Sequence, residues 1–299
     1  MKLTYIIMAH KLPEQLVRLV QRLDTPDATF LIHVDRKTDD GIYRQILHSL
    51  EGRNNVYFLE RRRVYYCDFT HVAVALGALR EQRELGIPFD YVLLLTGQDY
   101  PTRSGAQLQA YLAAHAGRSF MEYFPLPEKR WGVEDGGISR FTHWHWNIRG
   151  RELEFPHAYG PLKAIPMPVR RALLQHLPAY RKLPGDLTVF GGGAYWSLTR
   201  ECIEYVEKYT AEHPQFVRFF WHARIPEEMF FQTILLNSPL RHTIVNDDLR
   251  YIAWTQSRHP VILRSDDYEK VRESGKLFAR KFDLTIDAAI LDMIDGSAP

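Results

Sequence analysis

The feature that most constrains the fold is an alternation of strand and helix patterns through the first half of the chain. Apolar runs at residues 3–8, 29–34, 56–59 and 91–95 predict β-strands, and the stretches between them carry helical periodicity. Pro13 begins the first of these helices. The continuous apolar run at 91–95 is typical of a central strand buried on both faces. This alternation predicts an α/β fold, in which helices flank a sheet.

The second half of the chain is less regular. Residues 125–187 contain eight prolines and interrupt the alternation, so we expect an irregular insertion packed on the core. Within it, His143 and His145 are spaced like metal ligands, but without an acid or cysteine beside them a partly buried aromatic role is favoured. No repeat, linker or low-complexity stretch divides the chain. We therefore predict one domain over residues 1–299.

Composition and cysteine count exclude several classes of protein. The formal net charge is +2, which gives no sign of nucleic-acid binding. Cys67 and Cys202 are too few for a disulfide framework and favour a reducing compartment. The apolar run at 5–9 is too short for a signal peptide or a membrane span, so we expect a cytoplasmic protein. The basic run at 61–63 is expected to be solvated, with contact to an acidic membrane surface or an anionic ligand as the alternative.

Two adjacent carboxylates follow a proline in the apolar segment 225–238. Pro226 suits the first position of a helix, and Glu227 and Glu228 fall in its first turn, where the helix dipole favours an anion. Successive helical residues point about 100° apart, so we expect one glutamate to face a cleft and the other to face solvent. This arrangement suits one catalytic base beside a second glutamate without a catalytic role. It does not suit a glycosidase, whose two carboxyls must lie on opposite sides of the scissile bond. The alternative is that the two glutamates have no catalytic role, since acidic residues are common in the first turn of a helix.

Two cations lie between phenylalanines near the end of the sequence. In an extended segment, Phe278, Arg280 and Phe282 share one face and Lys281 points to the other. Arginine is a rigid fork for phosphate oxygens and lysine is a compact point charge, so together they can neutralise a diphosphate without metal. The chain contains no Asp-x-Asp, the motif through which many nucleotide-sugar transferases hold a divalent cation. The alternative is a solvated basic pair.

Six stretches of the sequence occur in a defined order. They are residues 6–10 (IIMAH), 32–37 (IHVDRK), 94–101 (LLTGQDYP), 192–200 (GGAYWSLTR), 226–228 (PEE) and 278–283 (FARKFD). In this order and spacing the chain resembles the core-2/I-branching family of inverting glycosyltransferases, which includes β-1,6-N-acetylglucosaminyltransferases and peptide O-xylosyltransferases. The resemblance implies a glycosyltransferase-A type fold, with a Rossmann-like mixed sheet flanked by helices, that works without metal or another cofactor.

The resemblance also implies roles for individual residues. It implies Glu228 as the catalytic base and Arg280 and Lys281 as the residues that bind the diphosphate. Asp35 and Lys37 follow a predicted strand and match the nucleotide-binding turn of the family, although an ordinary polar strand end is the alternative.

Further candidates lie near these positions. A gap-free match to the family adds Arg258 to the diphosphate cluster. Asp99 follows the buried strand and either holds sugar hydroxyls or caps a helix that begins near Ser104. We place Tyr195 and Trp196 near the acceptor sugar, since the preceding glycine run suggests backbone close to a ligand beside an aromatic wall.

Together these features predict the inverting, metal-independent transfer of N-acetylglucosamine or xylose from a UDP-sugar to a hydroxyl of a glycan or glycoconjugate, in bacterial polysaccharide or glycoconjugate synthesis. The irregular region at 125–187 is expected on the acceptor side. One alternative is a non-catalytic relative that binds nucleotide sugars or carbohydrate, against which the intact Glu228 argues. The other is a nucleotide-sugar hydrolase, which would need metal-binding acids or a nucleophile motif.

Overall fold

The predicted alternation folds into a mixed sheet with helices on both faces. The computed structural model describes residues 1–131, 133–155, 166, 168–169, 180–255 and 259–296. The strands are β1 (Leu3–Ala9), β2 (Ala28–Val34), β3 (Val56–Phe58), β4 (Tyr91–Thr96), β5 (Asp99–Pro101), β6 (Ser119–Met121), β7 (Phe124–Pro125), β8 (Trp144–Ile148), β9 (Arg151–Phe155), β10 (Phe190–Gly191), β11 (Trp196–Thr199), β12 (Ile244–Val245), β13 (Arg250–Ile252) and β14 (Phe278–Arg280). The α-helices are α1 (Pro13–Leu23), α2 (Asp40–Ser49), α3 (Thr70–Glu84), α4 (Gly105–Ala114), α5 (Ser139–Thr142), α6 (Arg200–Glu212), α7 (Pro214–Phe220), α8 (Phe230–Leu236), α9 (Tyr268–Glu273) and α10 (Ala289–Gly296).

Among the described residues, seven strands form the main sheet in the order β12–β6–β11–β4–β1–β2–β3. β1 is parallel to β2 and β4, whereas β11 is antiparallel to β4 and β6. The sheet is therefore mixed, as predicted. Because β1, β2 and β4 are parallel, their carboxyl ends lie at one edge, which is where ligands bind in open α/β sheets.

Helices cover both faces of this sheet. Alternate side chains of β1 point to opposite faces, so Tyr5 and Ile7 join one buried cluster with Leu16 of α1 and Leu108 of α4. Ile6 joins a second cluster, which contains residues of α3, α6 and α8. A mixed sheet between two helical layers fits a glycosyltransferase-like fold. Within the described ranges, no helix has both the length and the apolar character to cross a membrane.

A smaller sheet attaches the segment after residue 277 to the body of the protein. β14 is antiparallel to β5 and parallel to β13. Beyond β14, Phe282 N donates to Gln98 O over 3.0 Å, and Gln98 Nε2 donates to Phe282 O over 3.0 Å. Gln15 of α1 also donates to Phe282 O, over 3.3 Å, and accepts the N–H of Leu284 over 3.0 Å. These contacts fix the segment beside the carboxyl end of β4.

The irregular region predicted over 125–187 contains the hairpin β8–β9, and its residues 132, 156–165, 167 and 170–179 lie outside the described part of the chain. Glu154 pairs directly across the hairpin with His145, and a carboxylate oxygen of Glu154 lies 2.6 Å from Nδ1 of His143. An acid therefore does accompany the two histidines, contrary to the sequence-based view. The three ligand atoms lie close enough to hold a metal ion, although these residues do not line the cleft described below.

Candidate active site

A cleft of about 460 Å³ opens at the carboxyl edge of β1, β2 and β4. Its walls come from the ends of these strands, the start of α3, the turn before α8 and the segment after β14. Six of the predicted site residues line it: Asp35, Lys37, Tyr195, Glu228, Arg280 and Lys281. The fold thus brings together candidates for base, diphosphate and nucleotide contacts that are far apart in the sequence.

The two carboxylates lie on a tight turn and not in a continuous helix. Pro226–Glu228 forms a 3-10 turn, and Met229, with φ −137°, leaves the helical region before α8 begins. Ile225 has φ 51° and ψ 54°, a left-handed conformation that costs a non-glycine residue about 1–3 kcal/mol. The prediction of a single helix from Pro226 is therefore wrong, and the break changes the directions in which both glutamates point.

Two glycines support this turn from behind. Gly192 N donates to Glu228 O over 2.9 Å, and Gln232 Nε2 donates to Gly193 O over 2.7 Å. A Cβ atom on Gly192 would lie 1.9 Å from the carbonyl oxygen of Glu122, so a larger residue would force the backbone to move. The sequence suggested that these glycines approach a ligand. Gly192 approaches protein backbone instead, and Gly193 approaches the side-chain carboxylates of Glu122 and Asp248. The hydrogen bonds of both glycines help to position the carboxylate turn.

Glu228 is held by an arginine that the sequence did not single out. Arg140 Nη1 donates to Glu228 Oε2 over 2.7 Å, and the Arg140 guanidinium lies 3.7 Å from the ring centroid of Trp131. Burial raises the pKa of Glu228 to about 7, with Arg140 opposing the rise and Glu227 adding to it. The Glu228 side chain remains 28% exposed. A carboxylate with this pKa and this access to the cleft suits the removal of a proton from a bound hydroxyl.

Glu227 also faces the cleft, so the expectation that one glutamate faces solvent is wrong. Its side chain is 13% exposed, and its Oε1 lies 3.7 Å from Nδ1 of His71 at the start of α3. Burial raises the pKa of Glu227 to about 7. Both Glu227 and His71 line the cleft together with Glu228.

The two predicted diphosphate cations reach the same cavity. Arg280 Nε lies 3.1 Å from Asp99 Oδ1, and the Arg280 guanidinium lies 4.6 Å from the ring centroid of Tyr195. Burial lowers the pKa of Lys281, and the charges of Arg280 and Lys11 lower it further. The sequence placed Arg280 and Lys281 on opposite faces of an extended segment, but β14 ends at Arg280 and both side chains line the cleft. Two neighbouring cations of this kind favour an anionic ligand.

Asp99 supports Arg280 and does not line the cleft. Its side chain has no exposed surface, and its Oδ1 also lies 3.6 Å from Nε of the buried Arg250. The side chain of Ser104, not that of Asp99, accepts the backbone N–H that caps α4. The structure therefore supports neither predicted role of Asp99, the helix cap or the direct sugar contact. Asp99 instead holds two arginines in place.

The turn after β2 carries Asp35 and Lys37 into the cleft. Lys37 N donates to Asp35 Oδ1 over 2.8 Å, and Lys37 Nζ lies 3.5 Å from Asp35 Oδ2. Arg61 Nη2 donates to the carbonyl oxygens of Asp35 and Thr38, over 3.2 and 2.8 Å. The predicted solvated character of residues 61–63 is thus wrong for Arg61, because this side chain braces the turn.

The two predicted aromatic residues lie on opposite sides of the backbone. Tyr195 lines the cleft and contacts Arg250, whose guanidinium lies 4.0 Å from its ring centroid. Trp196 lies in β11, is 1% exposed and packs against Phe231 with the ring centroids 5.1 Å apart. Successive strand residues point to opposite faces, so only one of the pair can face the cleft. The predicted acceptor contact by Trp196 is wrong, since this residue belongs to the core.

Several residues of the site fall outside the sequence-based prediction. His71 and Arg140 were missed because their partners are distant in sequence and neither belongs to a recognisable motif. Arg250, which packs against Asp99, was missed for the same reason. Arg258, which was predicted, lies outside the described residues.

The chain is similar to known enzymes over nearly its whole length. The model of a family described as "Core-2/I-Branching enzyme" matches residues 3–274. Xylosyltransferase 2 of Homo sapiens is 25% identical over 324 residues, which cover 100% of this chain and 34% of that protein. The same enzyme of Rattus norvegicus is also 25% identical, over 100% of this chain and 34% of that protein. Xylosyltransferase 1 of Canis lupus familiaris is 23% identical, over 98% of this chain and 30% of that protein. The chain therefore spans about a third of the length of these relatives.

Proposed function

Because the chain belongs to the Core-2/I-Branching enzyme family, and is thus a glycosyltransferase, we propose that it inverts the anomeric configuration and uses a UDP-sugar without a metal ion. The observation that carries the proposal is the position of Glu228, a carboxylate with a raised pKa, in one cleft with Arg280 and Lys281. A base and a diphosphate site in one cavity are the two elements that this transfer needs.

In the proposed reaction, Glu228 accepts the proton of an acceptor hydroxyl while that oxygen bonds to the anomeric carbon of the donor. The bond between this carbon and the diphosphate oxygen breaks on the opposite face, and its electron pair leaves with UDP. General-base catalysis typically contributes about 10²–10⁴-fold in rate. Arg140 orients the carboxylate through its hydrogen bond to Oε2.

Arg280 and Lys281 stabilise the negative charge that grows on the departing diphosphate. A hydrogen bond to a charged group contributes about 1.5–3 kcal/mol, and a divalent cation does the same work in other transferases. Asp99 holds both Arg280 and Arg250 in place, and Tyr195 packs against the Arg280 guanidinium.

The nucleotide and the acceptor are proposed at different walls of the cleft. Asp35 and Lys37 bind the nucleotide from the turn after β2. The acceptor, a glycan or glycoconjugate, approaches from the region at 125–187, which is supported by the contact of Arg140 with Glu228. The donor sugar is xylose or N-acetylglucosamine, and the names of the matched relatives favour xylose.

A panel of UDP-sugars tests the proposal. The melting temperature should rise with UDP-xylose or UDP-N-acetylglucosamine, and UDP release in excess EDTA should depend on an added acceptor. No stabilisation by any UDP-sugar would contradict the proposal. In a non-catalytic relative, which is the second candidate, UDP-sugars would stabilise the protein, but wild type and Glu228→Gln would release UDP at the same background rate.

A further inference from the structure

We propose that Glu227 and His71 together recognise the donor sugar itself, by hydrogen bonding to a hydroxyl group of a neutral sugar. The inference rests on the proposed function, since it requires that the cleft binds a UDP-sugar. It assigns a role to Glu227, a carboxylate for which the sequence predicted none.

The first observation is a gap of suitable width between the side chains of Glu227 and His71, each of which has a buried polar atom without a partner. Glu227 Oε1 and His71 Nδ1 lie 3.7 Å apart, too far for a good direct hydrogen bond but close enough for one hydroxyl to contact both. Within the described residues, Glu227 Oε2 and His71 Nδ1 are buried and have no hydrogen-bond partner. Buried polar atoms are normally paired, and a sugar hydroxyl at this place would give these atoms a hydrogen-bond partner. A hydroxyl can donate one hydrogen bond and accept two, so it can bond to a carboxylate oxygen of Glu227 and to Nδ1 of His71 at the same time.

The second observation is the direction in which each glutamate points. Glu228 is bound by Arg140, which belongs to the region proposed on the acceptor side. Glu227 reaches instead toward His71 of α3, and both line the cleft with Asp35 and Lys37. Burial lowers the pKa of His71, which the charges of Asp68 and Asp35 oppose. Because Asp35 and Lys37 form the proposed nucleotide turn, Glu227 and His71 lie on the donor side. In this proposal Glu228 contacts the acceptor and Glu227 contacts the donor sugar.

Above about pH 7, where Glu227 is ionised, its charge limits which sugars the contact accepts. A sugar that carries its own carboxylate would bring two negative charges together in a buried place, which is unfavourable. A neutral pentose or hexose offers hydroxyl groups without this repulsion. We therefore assign the contact to neutral donor sugars such as xylose and N-acetylglucosamine, and expect it to exclude uronic acids.

Calorimetric binding of UDP and of UDP-sugars separates the sugar contact from the nucleotide contacts. Glu227→Ala and His71→Gln should leave the Kd for UDP within about twofold and weaken binding of UDP-xylose or UDP-N-acetylglucosamine by about five- to tenfold. At pH 8, where the wild-type carboxylate is ionised, Glu227→Gln should lose less for the neutral donors and should gain affinity for UDP-glucuronic acid. Glu84→Gln, an exposed change on the same helix as His71, is the matched control and should change nothing. Thermal unfolding of each variant shows that the fold is retained.

Two results would overturn this inference while leaving the proposed function in place. One is an unchanged ratio of UDP-sugar to UDP affinity in Glu227→Ala and His71→Gln. The other is a raised KM for the acceptor with unchanged donor binding, which would move the contact to the acceptor side. If the wild-type protein bound neither UDP nor any UDP-sugar, the proposed function and the inference would fail together.

Discussion

Arg140 Nη1 donates to Glu228 Oε2 over 2.7 Å and so connects the irregular region to the carboxylate turn, across 88 positions of sequence. This hydrogen bond has two effects. It holds the carboxylate in one orientation, and it favours the ionised form against the burial that raises the pKa of Glu228. The balance between the burial and the arginine sets the pH range in which the proposed base can act.

Replacing the proposed base should remove most of the activity and leave donor binding intact. Glu228→Gln keeps the size and hydrogen bonding of the side chain but cannot accept the proton, so kcat should fall by about 10²–10⁴-fold. UDP release reports kcat, and calorimetry reports the donor Kd. Glu204→Gln, an exposed change on α6, serves as the control. A fully active Glu228→Gln enzyme would rule out the general-base mechanism.

The pH profile should follow the ionisation of Glu228. Since only the ionised carboxylate can act as base, kcat should rise with pH through about 7. Arg140→Met removes a charge that lowers this pKa, so the midpoint should move to higher pH. Glu227→Gln removes a charge that raises it, so the midpoint should move to lower pH. These profiles are measured from pH 5 to 9 at saturating substrate, and shifts in the same direction for both variants would contradict the assignment.

The stability of the protein should depend on pH because Glu227 is buried. The pKa of this carboxyl is about 7 in the folded protein, against an ordinary value of 4.5. Between these values the folded state keeps a proton that the unfolded state has released, so the contribution of Glu227 to stability declines as the pH rises from 4.5 to 7. Glu227→Gln cannot ionise and escapes this decline. Its Tm relative to wild type should therefore be higher at pH 8 than at pH 5, and a difference that does not vary with pH would refute the burial argument.

The two cations should matter more for UDP than for UMP. Arg280→Ala and Lys281→Ala each remove a charged hydrogen-bond donor worth about 1.5–3 kcal/mol to the diphosphate. UMP lacks the second phosphate and should lose less affinity. Lys270→Ala, an exposed change on α9, is the control. Equal UDP affinity of the wild type and the double variant would remove both residues from the donor site.

Chelation should leave turnover unchanged. In the proposed site, Arg280 and Lys281 supply the positive charge that a divalent cation supplies elsewhere, so excess EDTA should not alter UDP binding or kcat. Loss of activity in EDTA that manganese restores would show that this replacement of metal by side chains is wrong.

The sequence predicted the architecture better than the directions of individual side chains. Apolar runs and helical periodicity depend on local pattern, and the four predicted strands begin and end within one residue of β1, β2, β3 and β4. The first helix begins at Pro13, as predicted. The direction of Glu227 depends on the break at Met229, which no local pattern signals. The burial of Asp99 depends on Arg250 and Arg280, far along the chain. Tertiary pairing of this kind decides which candidates reach the cleft.

The attachment of the segment after β14 to Gln15 and Gln98 has a consequence for folding. These hydrogen bonds join residues separated by up to 269 positions, and contacts of such separation form late because loop closure must first overcome its entropy. The sheet and the carboxylate turn can therefore assemble while Arg280 and Lys281 are still undocked. Without this docking the protein has a base but no anion site, so we expect donor binding to depend on the attachment of this segment. UDP, by binding only the docked form, should draw the final step to completion.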